Sequence, residues 1–135
     1  MMDERFREDP SPFGAHLGFR MADWREDFAR FEMEIAPHHG NRYGVPHGGA
    51  YATLLDAAMG HAGCWTGDPE VKQVAFTLSL NVQYLSLPTG KRLIVEARRT
   101  GGGRATYFAD GEVRDETGAL IAKGSGVFRY RRQAG

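Results

Sequence analysis

One stretch limits the folds open to this chain more than any other: His47-Gly48-Gly49-Ala50-Tyr51-Ala52-Thr53-Leu54-Leu55-Asp56-Ala57-Ala58-Met59, continuing to Gly63. It reads as a helix from about Gly48 to Gly63, opened by two glycines and carrying one carboxylate at its middle. At about 100° per residue, Gly49, Ala52, Thr53, Met59, Gly60 and Gly63 share the Asp56 face, with Tyr51, Leu54, Ala58 and His61 opposite. No side of this helix is built for solvent, so other structure has to enclose it. A carboxylate buried among apolar and small residues is costly unless it is used. The glycines offer bare N–H groups at the helix start, where the dipole favours negative charge. A carboxylate together with such an anion site is apparatus for attack on a carbonyl.

The remaining periodicity is that of strands. Residues 17–22 form a short one, and in 28–35 Ala29, Phe31, Met33 and Ile35 alternate with Arg30, Glu32 and Glu34. Residues 3–9 predict a short helical turn stopped by Pro10 and Pro12, and Pro37 to Pro46 a loop. After the helix, Val74, Phe76, Leu78, Leu80, Val82 and Tyr84 alternate with Ala75, Thr77, Ser79, Asn81 and Gln83, predicting one apolar and one small polar face. Residues 91–99 form another strand, Gly101-Gly102-Gly103 a flexible connection, and 104–114 with 119–131 a hairpin around Asp115-Glu116-Thr117-Gly118. One long enclosed helix with about five or six mostly antiparallel strands is an α+β domain.

Composition narrows the function classes. The 135 residues suit a single domain, and 41% hydrophobic content is enough for a core. Zero formal net charge excludes an electrostatic nucleic-acid binder, and no apolar run reaches the length of a membrane span. The N-terminus is charged and lacks the apolar stretch of a signal peptide. Cys64 is the only cysteine, so no intrachain disulfide forms and a cytoplasmic location is expected, with Cys64 a packing residue. The spacing of His38, His39, His47 and His61 fits no zinc pattern, and no metal is expected.

The pattern Asn41, His47-Gly48-Gly49 and Asp56, with the strand Thr77-Leu78-Ser79-Leu80-Asn81-Val82-Gln83-Tyr84 downstream, closely resembles the hotdog-fold acyl-CoA thioesterases of the phenylacetic-acid-degradation (PaaI) type. The Gly103-Arg104 turn and the hairpin from Glu112 to Arg129 extend the resemblance over about residues 13–131. It implies a single hotdog domain over residues 1–135, with 1–12 as an N-terminal extension, and a curved antiparallel sheet wrapped around one long helix. It also implies a homo-oligomer, a dimer or a dimer of dimers (a homotetramer), with sites between subunits. It further implies an acyl-CoA substrate and no cofactor, coenzyme A being part of the substrate.

By the same resemblance, Asp56 acts as general base on a water or as direct nucleophile, and the Gly48 N–H binds the thioester oxygen. Asn41 and His47 shape the loop and assist the thioester end. Thr77 holds the water or substrate from its own or a neighbouring subunit. Gly49, Tyr51, Met59 and Asn81 are substrate-binding candidates, with Phe13 and Trp65 as further candidates for the acyl group. Lys91, Arg92, Arg98, Arg99 and Arg104 are available to coenzyme A phosphates, and nothing in the sequence selects among them. Such a donor is worth roughly 10²–10³ in rate as charge develops on the carbonyl oxygen. Two departures stand out: Ser79 where many members carry an acidic residue, and Pro46, which stiffens the loop.

Two other functions are compatible with the pattern. A non-catalytic acyl-CoA or small-ligand binding protein gains little from an anion beside a carbonyl. A hotdog dehydratase or hydratase pairs His with an acid to move protons, and here His47 and Asp56 lie on one element with no second motif.

Overall fold

A computed structural model describes residues 2–131; Met1 and residues 132–135, which the single-domain reading included, lie outside the described residues. Six strands, β1 (Phe19–Arg25), β2 (Phe28–Glu34), β3 (Ala75–Tyr84), β4 (Arg92–Gly102), β5 (Thr106–Asp115) and β6 (Leu120–Tyr130), form one antiparallel sheet in the order β1-β2-β4-β5-β6-β3. Helix α2 (Gly48–Ala62) packs on its inner face, and a short helix α1 (Pro12–Leu17) precedes β1.

The helix approaches the sheet closely because two strand positions lack side chains. A Cβ on Gly111 would stand 2.9 Å from Leu55 Cδ2, and one on Gly124 3.2 Å from Leu55 Cδ1. Tyr51, Leu54, Leu55, Ala58, Met59 and Ala62 of α2 are buried against Val95, Tyr107, Val113, Ala122 and Phe128, within one hydrophobic core. The sheet also satisfies carbonyls at the end of the helix, which have no intrahelical donors of their own. Tyr107 Oη donates to Met59 O at 2.8 Å, Trp24 Nε1 to His61 O at 2.9 Å, and Tyr130 Oη to Gly63 O at 2.7 Å.

The structure revises five sequence expectations about the elements. Pro12 starts a helix instead of stopping one: Ser11 Oγ accepts from Gly14 N–H at 3.0 Å, and Pro12 occupies the first helical position, where its missing N–H costs nothing. The expected turn over 3–9 contracts to a 3-10 turn at Glu4–Phe6. Gly101 and Gly102 belong to β4 rather than to a flexible connection, and the Pro37–Pro46 loop begins with a 3-10 turn at Pro37–His39.

The fifth revision concerns β3, where the uninterrupted alternation read from the sequence does not hold. The register slips between Thr77 and Ser79: Thr77 pairs with Phe128 and Ser79 with Val127, leaving Leu78 as an extra residue. A bulge of this kind exchanges the two faces. Phe76 therefore lies on the outer face, whereas Thr77 points toward the helix together with Leu80 and Val82.

At one end of the sheet, Asp115 fastens two turns together. Its Oδ2 accepts from the N–H groups of Thr89 (2.8 Å) and Gly90 (2.9 Å), and its Oδ1 from those of Thr117 (3.0 Å) and Ala119 (3.3 Å), with the Thr117 hydroxyl added. These donors, the Thr117 hydroxyl first, hold its carboxyl well below the usual carboxylate range. Because the folded value is the lower one, the stabilisation is complete above about pH 4 and is lost as acid protonates the folded carboxylate. Asp115→Asn is expected to lower the thermal midpoint at pH 7, and the gap to wild type should narrow below about pH 4. A gap that stays constant down to pH 3 in paired melts would refute this role.

Candidate functional site

The loop before α2 is closed by its own polar groups. Asn41 Oδ1 accepts from the N–H of Tyr43 (2.8 Å) and Val45 (3.4 Å), and Asn41 N–H donates to Val45 O at 2.7 Å, making an Asx turn. His47 is the N-cap of α2, its Nδ1 accepting from Gly49 N–H at 2.9 Å. The Gly49 N–H is thereby engaged, while Gly48 N–H stands at the first helical position, where no intrahelical acceptor exists. Tyr84 Oη donates to Gly48 O at 3.2 Å, and a Cβ on Gly48 would press to 3.2 Å from the Tyr84 ring, so glycine lets β3 lie close to the helix start. His39 is buried and joins this loop to α1: its Nδ1 accepts from Ala36 N–H at 2.9 Å and its Nε2 meets Leu17 O at 2.6 Å.

Asp56 lies one residue beyond the middle of α2, half-buried on the stripe that turns away from the sheet. The sequence reading enclosed this helix on every side; in the single chain it has a half-exposed stripe of Ala52, Thr53, Asp56, Ala57, Gly60 and His61. Nor is the carboxylate unpaired, because Thr77 Oγ1 donates to Asp56 Oδ1 at 2.6 Å within the same chain. The bulge at Leu78 is what brings Thr77 to that side. Thr53, Asp56, Ala57 and His61 line a cavity of about 380 Å³ together with Phe19, Met21 and Phe31 and with residues 8–11 and Phe13 of the N-terminal segment.

The candidate residues thus fall in separate places. Asp56 and Thr77 meet at the cavity; Asn41, His47, Gly48 and Gly49 cluster at the helix start. Met59 is a core residue with no exposed surface, packed toward Gly111 and Gly124. Tyr51 is also buried, its ring centroid 6.2 Å from that of Tyr84, and burial raises its phenol pKa. Asn81 lies on the outer face opposite Ser125, across the sheet from the helix, because the face exchange at Leu78 fixes its orientation. Of the two extra acyl candidates, Phe13 lines the cavity and Trp65 packs on Phe6, ring centroids 5.0 Å apart. Cys64 is buried, its thiol pushed up to about 11, chiefly by desolvation, as befits packing. Among the basic candidates, Arg92 pairs with Glu32 at 3.4 Å and Arg98 lies over the Phe28 ring at 4.7 Å.

Sequence reasoning missed His61 and the N-terminal segment as parts of the cavity. His61 is about 140° from Asp56 on the wheel, and it was assigned to the opposite face. The cavity, however, reaches from Asp56 through Ala57 round to His61. The signal available in the sequence was the i, i+4 relation of Ala57 and His61.

A curved antiparallel sheet around one long helix defines a hotdog fold. The thioesterase superfamily model matches residues 43–122, and the chain belongs to that superfamily, a family of thioester-hydrolysing enzymes. Acyl-coenzyme A thioesterase 13 of Mus musculus is 32% identical over 97 residues, covering 69% of this chain and 66% of the mouse protein. The BH2602 protein of Bacillus halodurans, solved with CoA, superposes with a TM-score of 0.78 at 28% identity, covering 94% of this chain and 83% of that one. The E. coli PaaI protein of the phenylacetic acid degradation operon, at 20% identity, shares the fold with a TM-score of 0.79, covering 90% of this chain and 86% of that one.

The capping geometry makes a direct prediction. His47→Ala should destabilise the chain by about 0.5–2 kcal/mol, and His47→Asn, which restores a side-chain acceptor, should recover most of that loss. Denaturant unfolding measures both, and equal stability of all three proteins would remove the cap from the account.

Proposed function

We propose that the chain hydrolyses an acyl-CoA thioester to a free carboxylic acid and coenzyme A, with Asp56 as the base or nucleophile. The observation that carries this reading is the Asp56 carboxylate, one oxygen clamped by Thr77 at 2.6 Å, at the floor of an apolar cavity. With Oδ1 engaged, the other oxygen is oriented to take a proton from water as the water oxygen adds to the thioester carbon. Collapse of the adduct breaks the C–S bond, and the thiolate leaves and takes up the proton. A thiolate is a good leaving group, so no strong general acid is required. As a direct nucleophile, the same oxygen would form a mixed anhydride that water then opens. The mouse relative's name and the CoA-bound Bacillus structure support coenzyme A as the carrier. The reading invokes no resident cofactor, and the lone cysteine is consistent with the cytoplasm.

The site also calls for a second chain. Gly48 and Asp56 are eight residues apart on one helix, about 12 Å at 1.5 Å per residue. A thioester carbonyl held at about 3 Å by the Gly48 N–H cannot also meet Asp56 of the same chain. β3 is an edge strand of ten residues with Phe76, Leu78 and Tyr84 exposed, the kind of edge that seeks a partner. It runs antiparallel to α2: Tyr84 contacts Gly48 and Thr77 contacts Asp56. Two-fold antiparallel pairing of β3 with a second β3 would bring the Gly48 end of one chain toward the Asp56 end of the other. A homodimer is therefore the smallest complete enzyme, and a dimer of dimers is compatible with it.

Thiol release across a panel of acyl-CoAs tests the reaction. Asp56→Asn should fold, assemble and lose at least a hundredfold in kcat, and Thr77→Val should lose about tenfold while Thr77→Ser stays near wild type. An Asp56→Asn protein that keeps most of its activity would overturn the mechanism. Sedimentation equilibrium should find no active monomer; a monomer with full activity would refute the two-chain site.

A further inference from the structure

Two polar side chains are buried among the described residues, Asp115 and His39. Asp115 is accounted for by the two turns it joins. His39, only 4% exposed, has no part in the chemistry proposed for Asp56 and does not line the cavity. A buried imidazole is costly unless both ring nitrogens are satisfied. Here each nitrogen faces a backbone group from a different part of the fold. Nδ1 accepts from the Ala36 N–H at 2.9 Å, just beyond β2, and Nε2 meets Leu17 O at 2.6 Å, at the last residue of α1. A donor on one side and an acceptor on the other assign the ring hydrogen to Nε2 and make the bridging ring neutral. Leu17 O is one of the carbonyls that a helix end leaves without a donor, and the ring supplies one.

The backbone of His39 completes the junction. Its N–H donates to Ala36 O at 3.0 Å, and its carbonyl accepts from the His47 N–H at 2.8 Å. Next to it, Gly40 bridges to Pro46. The junction therefore leads straight to the Gly48 N–H. The peptide plane that carries this N–H begins at His47. Within the first turn of α2, His47 Nδ1 takes the Gly49 N–H, and Tyr84 fixes the Gly48 carbonyl to β3. From the N-terminal side, His47 is held by the carbonyl of the residue whose ring is pinned to α1. A donor for a developing oxyanion acts at about 2.7–3.1 Å, and a misplacement of about 1 Å costs on the order of 10²-fold in rate.

We propose that His39 is a positioning residue for the hydrolysis. Its buried neutral ring ties the loop before α2 to α1 and so sets where the Gly48 N–H holds the thioester oxygen. The proposal rests on the thioesterase reading above and adds to it a residue that touches neither the substrate nor the reacting atoms.

Steady-state kinetics of His39 variants test this, with kcat expressed per folded enzyme and measured well below the melting temperature. His39→Leu fills about the same space and removes both side-chain bonds. It should lower kcat by about 10–100-fold and leave KM within about twofold, because the displaced donor acts on charge that develops only in the transition state. His39→Gln, whose amide can still donate to Leu17 O, should recover part of that loss. If His39→Leu fails to fold, His39→Gln decides, with kcat reduced by about three- to tenfold at an unchanged KM. In the wild type, nitrogen-15 spectra at about pH 7.5 should find the His39 ring neutral with its hydrogen on Nε2. A hydrogen on Nδ1 overturns the bridge. A folded variant with wild-type kcat overturns the positioning role, as does one whose only defect is a lower melting temperature or a higher KM, since lost packing alone gives those. In either case an active wild type leaves the reaction standing. A wild type that releases no thiol from any acyl-CoA overturns both readings.

Discussion

Everything in this molecule depends on how closely α2 can lie against the sheet. Leu55 reaches into space that Cβ atoms at residues 111 and 124 would occupy. Such contact is worth keeping, since a fully buried Leu contributes roughly 1.5–3 kcal/mol relative to an exposed one. With one face of the helix committed to the sheet and its last carbonyls held by Tyr107, Trp24 and Tyr130, the helix has no freedom to rotate. Its other stripe, with Asp56, is thereby aimed at the cavity. Packing on one side of the helix positions the carboxylate on the other.

The second constraint is the bulge in β3. Without the extra residue at Leu78, strict alternation would turn Thr77 and Leu80 to opposite faces of the sheet. With it, Thr77 joins the inner face and clamps Asp56, while Phe76 is turned outward to a face with Asn81 and Gln83. Bulges commonly re-aim a side chain next to a site, and here the result is an oriented carboxylate at the cost of an exposed apolar edge. An exposed edge of that kind, and about 12 Å along one helix between the Gly48 N–H and the Asp56 carboxylate, are what support the proposal of a two-chain site.

Helix caps divide the labour at the start of α2. His47 takes the Gly49 N–H and Asn41 closes the preceding turn, leaving the Gly48 N–H at the end of the helix dipole for something from outside. At the other end of the sheet, Asp115 does comparable work for two turns with no part in the site.

Sequence alone determined the order of the six strands and the long helix, the α+β class and the pairing of a helix carboxylate with a glycine-opened helix start. These follow from local periodicity and from residue types with few uses, such as consecutive glycines before an apolar run. Tertiary structure alone decided which residues share a site. The Leu78 bulge is invisible in a pattern that alternates without interruption, so the faces assigned to Phe76, Thr77 and Asn81 depended on pairing with β6. Met59 and Asp56 lie within 60° on a helical wheel, yet the sheet covers one and leaves the other open. Glu8 and His61 are 53 positions apart, and only the return of the N-terminal segment over α2 brings them together. Local periodicity reports which side of an element is apolar; which neighbour covers that side is set by long-range packing, and a binding site is made of neighbours.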